Sequence, residues 1–197
     1  RGGMGRVLLV EDRFLGRDVA RKELLRPIDR GSDFASTDER RASALTARFL
    51  QEARITGQLK HPSIVPVYEL GKREDGTLYY TMKFVRGTNL RSALDACKTL
   101  QDRLKLLPHF VDICQAIAYA HSRGILHRDI KPDNVMLGEF GETVVIDWGI
   151  AKEIGREDVH ATGLEHTLNT LRLGDTVDLV RTAYGDAIGT PSYMSPE

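Results

Sequence analysis

Cysteine is nearly absent from this chain. Its two, Cys97 and Cys114, build neither a structural zinc site nor a disulfide framework. A reducing, cytoplasmic setting fits that scarcity. Cys114 falls on an apolar helical stripe and is expected in the core as a small hydrophobe. Excess charge is lacking too. Lys and Arg number 28, Asp and Glu also 28, so bulk electrostatic binding to nucleic acid or an anionic membrane is not expected. No apolar run approaches the ~18–20 residues of a membrane helix, and no signal-peptide pattern is present. Any membrane tether of the full protein is left to segments outside these residues. Histidines are few: His160 and His166 lack a third close ligand and read as solvated loop residues.

What is present is ordinary soluble composition. At 197 residues, 41% hydrophobic and 28% charged, the chain can form one large domain or two small lobes. "RVLLVED" and "GRDVARKELL" read as strands joined by a "DRFLG" turn. "RPIDRGSDFASTDER" reads as a loop ending in a capping box, Ser36 with Glu39. A helix is expected over Thr37–Leu59 and stopped by His61-Pro62. "SIVPVYELG" and "TLYYTMKFV" read as strands of a hairpin turned by "KREDG". "NLRSALDACK" is a short helix. Leu106, Phe110, Ile113, Ile117 and Ala120 then recur at helical spacing in one long helix, with Gly124 as its C-cap and Pro108 near its first turns or kinking it. "NVMLG" and "TVVID" are strand-like. Trp148 to Tyr184 is irregular and long enough to be functional. The order suggests a strand-rich lobe, a hinge near Lys83–Gly87 and a helical lobe, with a cleft between them suited to a small molecule.

Chemistry concentrates in "HRDIKPDN", residues 127–134, and "VVIDWG", residues 144–149. Asp129, Asp133 and Asp147 crowd carboxylates around Lys131 and Asn134. Carboxylate and amide oxygens suit a hard divalent cation such as Mg²⁺, and a lysine beside them can neutralise a phosphate. A second pairing follows from the helix. Leu45, Phe49, Glu52, Thr56 and Leu59 are spaced 4, 3, 4 and 3 and share one face. Glu52 therefore interrupts a largely apolar, inward face and needs a cation. Lys22, in the strand "DVARKELL" before the helix, is the candidate. A Glu52 that reaches solvent at the helix edge is the alternative.

These strings resemble the catalytic loop, the metal-binding DFG and the VAxK lysine motif of bacterial eukaryotic-type serine/threonine protein kinases, here "HRDIKPDN", "DWG" and "VARK". The closing "GTPSYMSPE" resembles the segment ending in APE, with Ser195 in place of Ala. The resemblance runs the whole length. It implies an α+β, two-lobed protein-kinase-like fold, truncated: a strand-rich N-lobe with one helix over residues 1–86 and a partial helical C-lobe over 87–197. Gly2, Gly5 and Val7 match the second glycine, third glycine and valine of the kinase glycine loop. Its first glycine would lie before residue 1, and the family's remaining helices would follow Glu197 and cover the helix face bearing Phe110, Ile113 and Ile117.

The resemblance assigns roles residue by residue. Asp129 accepts the substrate hydroxyl proton, Lys131 contacts the γ-phosphate, and Thr190 orients the catalytic loop. Lys22, paired to Glu52, serves ATP. Gly2, Gly3, Gly5, Val7, Ala20, Met82, Lys83 and Val85 border the nucleotide, Met82 beside adenine. Asn134 and Asp147 hold Mg²⁺, or Mn²⁺ in its place. Arg128 pairs with a phosphorylated activation-loop residue, for which Thr182 is the candidate, and a dimer is one route to such autophosphorylation. Trp148 replaces the Phe of DFG with another large apolar ring. The implied partners are ATP and proteins offering Ser or Thr. The competing readings are a regulatory pseudokinase, opposed by the presence of Lys22, Glu52, Asp129, Asn134 and Asp147, and a small-molecule phosphotransferase, opposed by Lys131 and "GTPSYMSPE".

Overall fold

The aliphatic run Val7–Val10 forms the first strand, and the second returns beside it. β1 (Gly5–Asp12) and β2 (Arg17–Leu24) pair antiparallel, with Val7 opposite Lys22 and Leu9 opposite Ala20. The structure is a computed structural model that describes residues 5–25, 35–155 and 189–194, the side chains of 35–41 excepted. β3 (Val67–Lys72) and β4 (Leu78–Lys83) form the second hairpin, and the sheet runs in the order β1-β2-β4-β3. β3 begins four residues later than the "SIVPVYELG" run suggests, because Pro66 lacks an amide hydrogen for the ladder and its carbonyl instead accepts from the Lys83 amide at 3.1 Å.

Period-two geometry sends Ala20, Lys22, Leu24, Leu78, Tyr80 and Met82 to one face of this sheet. α1 (Ala35–Gln58) packs there, burying Phe49 and Ala53 against Tyr80 with Leu24, Val67, Leu78 and Met82 around them. The helix starts at Ala35, two residues before the expected Thr37, so Ser36 lies inside its first turn and not at the cap. On the opposite face Glu23 is only 1% exposed because Arg6, Arg21 and Arg73 cover it, at 2.8, 2.9 and 3.1 Å. Burial alone would raise its pKa, but those three guanidinium groups hold it below the usual carboxylate range.

Beyond Phe84–Arg86 the chain turns helical. A short β5 (Gly87–Asn89) leads into α2 (Leu90–Ala96), capped by the Asn89 side chain on the Ser92 amide. The single long helix expected next is two: α3 (Leu100–Leu104), opened by a Thr99/Asp102 capping box, and α4 (Leu107–Ser122). Pro108 in the first turn of α4 has no amide hydrogen to continue an earlier helix, so the break falls just before it. Gly124 follows with φ +73°, as a helix terminator requires. α4 buries Ile113, Ala116 and Ala120. Phe110 is 61% exposed, and Cys114 is exposed rather than in the core: the apolar stripe of α4 is wider than its buried face.

β6 (Ile125–Leu126) pairs with β9 (Lys152–Glu153), and β7 (Val135–Gly138) and β8 (Thr143–Val145) form a hairpin beside β5. One apolar core joins the end of α1 (Ile55, Leu59) to α4, β7, β8 and Trp148. The segment after α1 is bound straight to β8: Val65 donates to the Val145 carbonyl and Val145 to that of Ser63, at 3.1 and 2.8 Å. The helix bearing Glu52 and the strand leading to Asp147 are thus mechanically connected.

Candidate active site

The β2–β4 register fixes the first half of the site. Lys22 stands opposite Tyr80, and α1 lays Glu52 over both. The Lys22 ammonium lies 2.5 Å from Glu52 Oε1 and 3.5 Å from Asp147 Oδ1. Glu52 is 2% exposed, so the pairing expected from the helix face is present and the solvent-reaching alternative is not. Burial would lower the Lys22 pKa, but Glu52 and Asp147 outweigh it and hold it above the usual lysine range. The Tyr80 hydroxyl donates to the same Glu52 oxygen at 2.7 Å. The sequence reading placed Tyr80 within the "TLYYTMKFV" strand and gave it no role.

The second half forms where a tight one-turn 3₁₀ segment (Pro132–Asn134) brings Asn134 back under Asp129. Asn134 Nδ2 donates to the Asp129 carbonyl at 2.9 Å and to Oδ2 at 3.1 Å. Lys131 Nζ reaches Oδ2 at 2.9 Å and Thr190 Oγ1 at 2.8 Å, while Thr190 donates to Asp129 Oδ1 at 2.5 Å. Partial burial would raise the Asp129 pKa; donors from Thr190, Lys131 and Asn134 win and hold it below the usual range. Thr190 arrives because Gly189, at φ +129°, lets the chain pass where a Cβ would sit 2.4 Å from the Arg128 carbonyl.

His127 and Trp148 fasten the two halves, and sequence reasoning did not single out the histidine. Both are buried, with ring centroids 4.5 Å apart. The Asp129 amide donates to His127 Nδ1 at 3.2 Å, and Nε2 faces the Ile146 carbonyl at 3.3 Å. An accepting Nδ1 leaves the proton on Nε2, so the ring is a neutral bridge between the catalytic string and β8. Burial holds its pKa below the usual histidine range, more than offsetting the Ile146 carbonyl and nearby carboxylates. Arg128 and Asp147 flank this bridge with φ of +65° and +60°. Left-handed backbone at non-glycine residues costs ~1–3 kcal/mol each and persists where surrounding contacts impose it.

Oxygen donors suit a hard cation here. Gly149 leaves room for the carboxylates: a Cβ there would lie 3.1 Å from Asp147 Oδ1 and 3.5 Å from Glu52 Oε2. Among the described residues no three His, Cys, Asp or Glu side chains form a metal cage. Mg²⁺ uses few protein ligands and takes the rest from phosphates and water.

The remaining expected residues are distributed as follows. Ala20 stands opposite Met82 in the sheet. Met82 packs beside Val65, Val85 and Val144, with Met136 and Ile146 beneath, an apolar floor of which the sequence reading had Met82 and Val85 only. Lys83 turns its side chain to Glu142 at 3.7 Å. Val7 is 57% exposed in β1, which Gly5 begins. A Cβ on Gly5 would meet the Glu23 carbonyl at 2.6 Å. Arg128 Nε donates to the Ile150 carbonyl at 2.7 Å. Gly2, Gly3 and Thr182 lie outside the described residues.

The chain is similar to known protein kinases. The protein kinase domain family model matches residues 1–197. The serine/threonine-protein kinase PknD of Protochlamydia amoebophila is 37% identical over 209 residues, covering all of this chain and 20% of that protein. The PknD of Chlamydia pneumoniae is 38% identical over 208 residues with the same coverage. A solved structure described as PpkA-294, apo form, superposes with a TM-score of 0.63 at 28% identity, covering 87% of this chain and 60% of that one. The chain thus spans about a fifth of the length of the curated relatives it matches. Among its described residues no helix is long and apolar enough to cross a membrane. With a family match end to end and a two-lobed α+β kinase-like fold around the Lys22–Glu52 and Asp129 clusters, the chain belongs to the protein kinase domain family.

Proposed function

We propose that this chain carries the nucleotide-binding and phosphoryl-transfer machinery of a cytoplasmic serine/threonine protein kinase. It would move the γ-phosphate of ATP to Ser or Thr hydroxyls of protein substrates in a signalling role. The observation that carries this reading is the Lys22 ammonium set between Glu52 Oε1 at 2.5 Å and Asp147 Oδ1 at 3.5 Å. A cation for phosphate thereby stands beside a carboxylate for metal. The N-lobe is placed at 1–86 and the partial C-lobe at 87–197.

Each side chain has a task in this reading. Ala20, Met82 and Val85 offer the adenine an apolar slot, and the Lys83 and Val85 backbone borders it. Gly2, Gly3, Gly5 and Val7 belong to the loop over the phosphates. Lys22 neutralises phosphate charge while Glu52 holds it in place. Asn134 and Asp147 would hold Mg²⁺ or Mn²⁺, which would supply positive charge against the phosphates during transfer. Asp129 orients the incoming hydroxyl. Its low pKa makes it a weak base, suited to accept the proton late, when the oxygen's bond to phosphorus is largely formed and its proton has become acidic. Lys131, bound to Asp129 and Thr190, is placed for the γ-phosphate, and Thr190 fixes Asp129 Oδ1. Arg128 is assigned to a phosphate on Thr182, which a second copy of the kinase could deliver.

The test is transfer of labelled γ-phosphate from Mg·ATP by the full-length protein, to a generic protein substrate and to an aminoglycoside in parallel. Labelled protein with unlabelled drug is expected, and Asp129→Asn should lower turnover by about 10²–10⁴-fold while ATP still binds. Unchanged turnover in that variant would sink the assignment of Asp129. Labelling of the drug alone would favour a small-molecule phosphotransferase, and no transfer at all a pseudokinase.

A further inference from the structure

Tyr80 has no role in the machinery just described, yet it is tied into its centre. It is 3% exposed on β4, and a phenol buried that deeply needs a hydrogen-bond partner. Its partner is Glu52 Oε1 at 2.7 Å, the oxygen that also takes Lys22 Nζ at 2.5 Å. The other carboxylate oxygen, Oε2, is buried without a partner. Both donors come from directly opposed positions of neighbouring strands. One oxygen of the α1 carboxylate is therefore held to the sheet at two points, one cationic and one neutral.

The hydroxyl is separable from the ring. The Tyr80 ring packs on Phe49 with centroids 5.2 Å apart, a contact phenylalanine would also make. Burial first, then the adjacent Glu52 charge, drives the Tyr80 pKa well above the ordinary tyrosine value, so the hydroxyl remains a donor at any working pH. Lys22 is different in kind. It is flexible, it also faces Asp147, and a phosphate would compete for it. A carboxylate held by Lys22 alone would share its single tie with Asp147 and with phosphate.

We propose that Tyr80 is a positioning residue: its hydroxyl holds Glu52, and with it α1, against the sheet independently of Lys22. The geometry supplies the tie itself. Its value during turnover, keeping α1 docked while Lys22 is engaged by nucleotide phosphates, rests on the kinase reading above.

Two readouts separate these layers. Amide hydrogen exchange over α1 in the full-length protein reports docking without reference to activity, and steady-state kinetics reports turnover. Tyr80→Phe should speed exchange around Glu52 and lower kcat, each by roughly 10–100-fold, the worth of one hydrogen bond to a charged group, while KM for the protein substrate stays put. Glu52→Gln keeps an acceptor for Tyr80 but removes the ionic tie to Lys22, so Tyr80→Phe should still speed α1 exchange in that background. In a Glu52→Ala background, Tyr80→Phe should add nothing to either readout. Unchanged α1 exchange in Tyr80→Phe, no effect of Tyr80→Phe in the Glu52→Gln background, or an effect of Tyr80→Phe that persists in Glu52→Ala would each overturn the proposal. If the wild type transfers no phosphate, the kinase reading alone fails and the exchange data still decide the role of Tyr80.

Discussion

Replacing Lys22 with methionine keeps most of the stem volume and deletes one charge, so its consequences can be worked from the contacts. The Glu52 side chain is 1% exposed and that of Lys22 12%. Breaking a buried pair by removing one partner costs ~3–5 kcal/mol. Tyr80 still donates to Glu52, which lowers the cost of leaving the carboxylate without its lysine. The expected loss is therefore ~3 kcal/mol, a large part of the ~5–15 kcal/mol stability of a domain. The loss also carries a pH dependence at the alkaline end. The Lys22 pKa is raised above 10.5, so its contribution is full below that value and fades as pH rises through the folded pKa. Methionine should abolish that limb. Trp148, the single tryptophan and 1% exposed in the shared core, reports urea unfolding by fluorescence. A loss under ~1 kcal/mol at pH 7, or an alkaline limb that survives in the variant, would refute the reasoning, as would additivity of Lys22→Met and Glu52→Gln in a double-mutant cycle.

Three further outcomes are expected. Asp147→Ala should raise KM for Mg·ATP by at least ~10-fold, since even indirect metal partners are worth 10–100-fold; an unchanged KM across a Mg²⁺ titration would remove Asp147 from the metal site. The His127 pKa lies below 6.5, so the unfolded chain binds a proton the folded one resists, and stability should fall as pH drops below about 6.5 by up to ~1.4 kcal/mol per unit. Denaturation curves for His127→Gln should lack that slope, and an identical slope would show the ring is not held neutral. Gly189→Ala places a Cβ 2.4 Å from the Arg128 carbonyl and should move Thr190 off Asp129, cutting kcat by up to ~10²-fold, whereas wild-type turnover would show that this approach does not position the site.

The catalytic strings were legible because their residues are close in sequence: Asp129, Lys131 and Asn134 meet through a single tight turn. Glu52 was legible for another reason, since a carboxylate on an apolar face demands a cation. The strand run placed Tyr80 in the sheet but said nothing of where its hydroxyl would go, as that partner is 28 positions away on another element. Glu23 shows the converse. Its strand position faces outward, and only the convergence of Arg6, Arg21 and Arg73 from three separate stretches buries it. Cys114 was misplaced because spacing gives an apolar stripe without its buried width. The α3–α4 break was written in the sequence, in Thr99 with Asp102 and in Pro108, and was masked by a helical repeat that continues across it.

The two halves of the site are tuned in opposite directions by the same low-solvent setting. Asp129 collects donors until its pKa falls, and Lys22 collects carboxylates until its pKa rises. Both shifts secure the charged state at neutral pH, so neither group is tuned to exchange protons there. His127, the one group between them that could titrate near neutrality, is held uncharged by burial. A site whose charges are fixed in this way leaves acid–base chemistry to the late proton transfer onto Asp129 and is good at presenting a constant field to a polyanion. Phosphoryl transfer asks for that, since its barrier yields chiefly to charge placement and in-line alignment. Hydrolytic chemistry would instead ask for a group poised near pH 7, and among the clustered side chains here the pKa shifts all run away from that value.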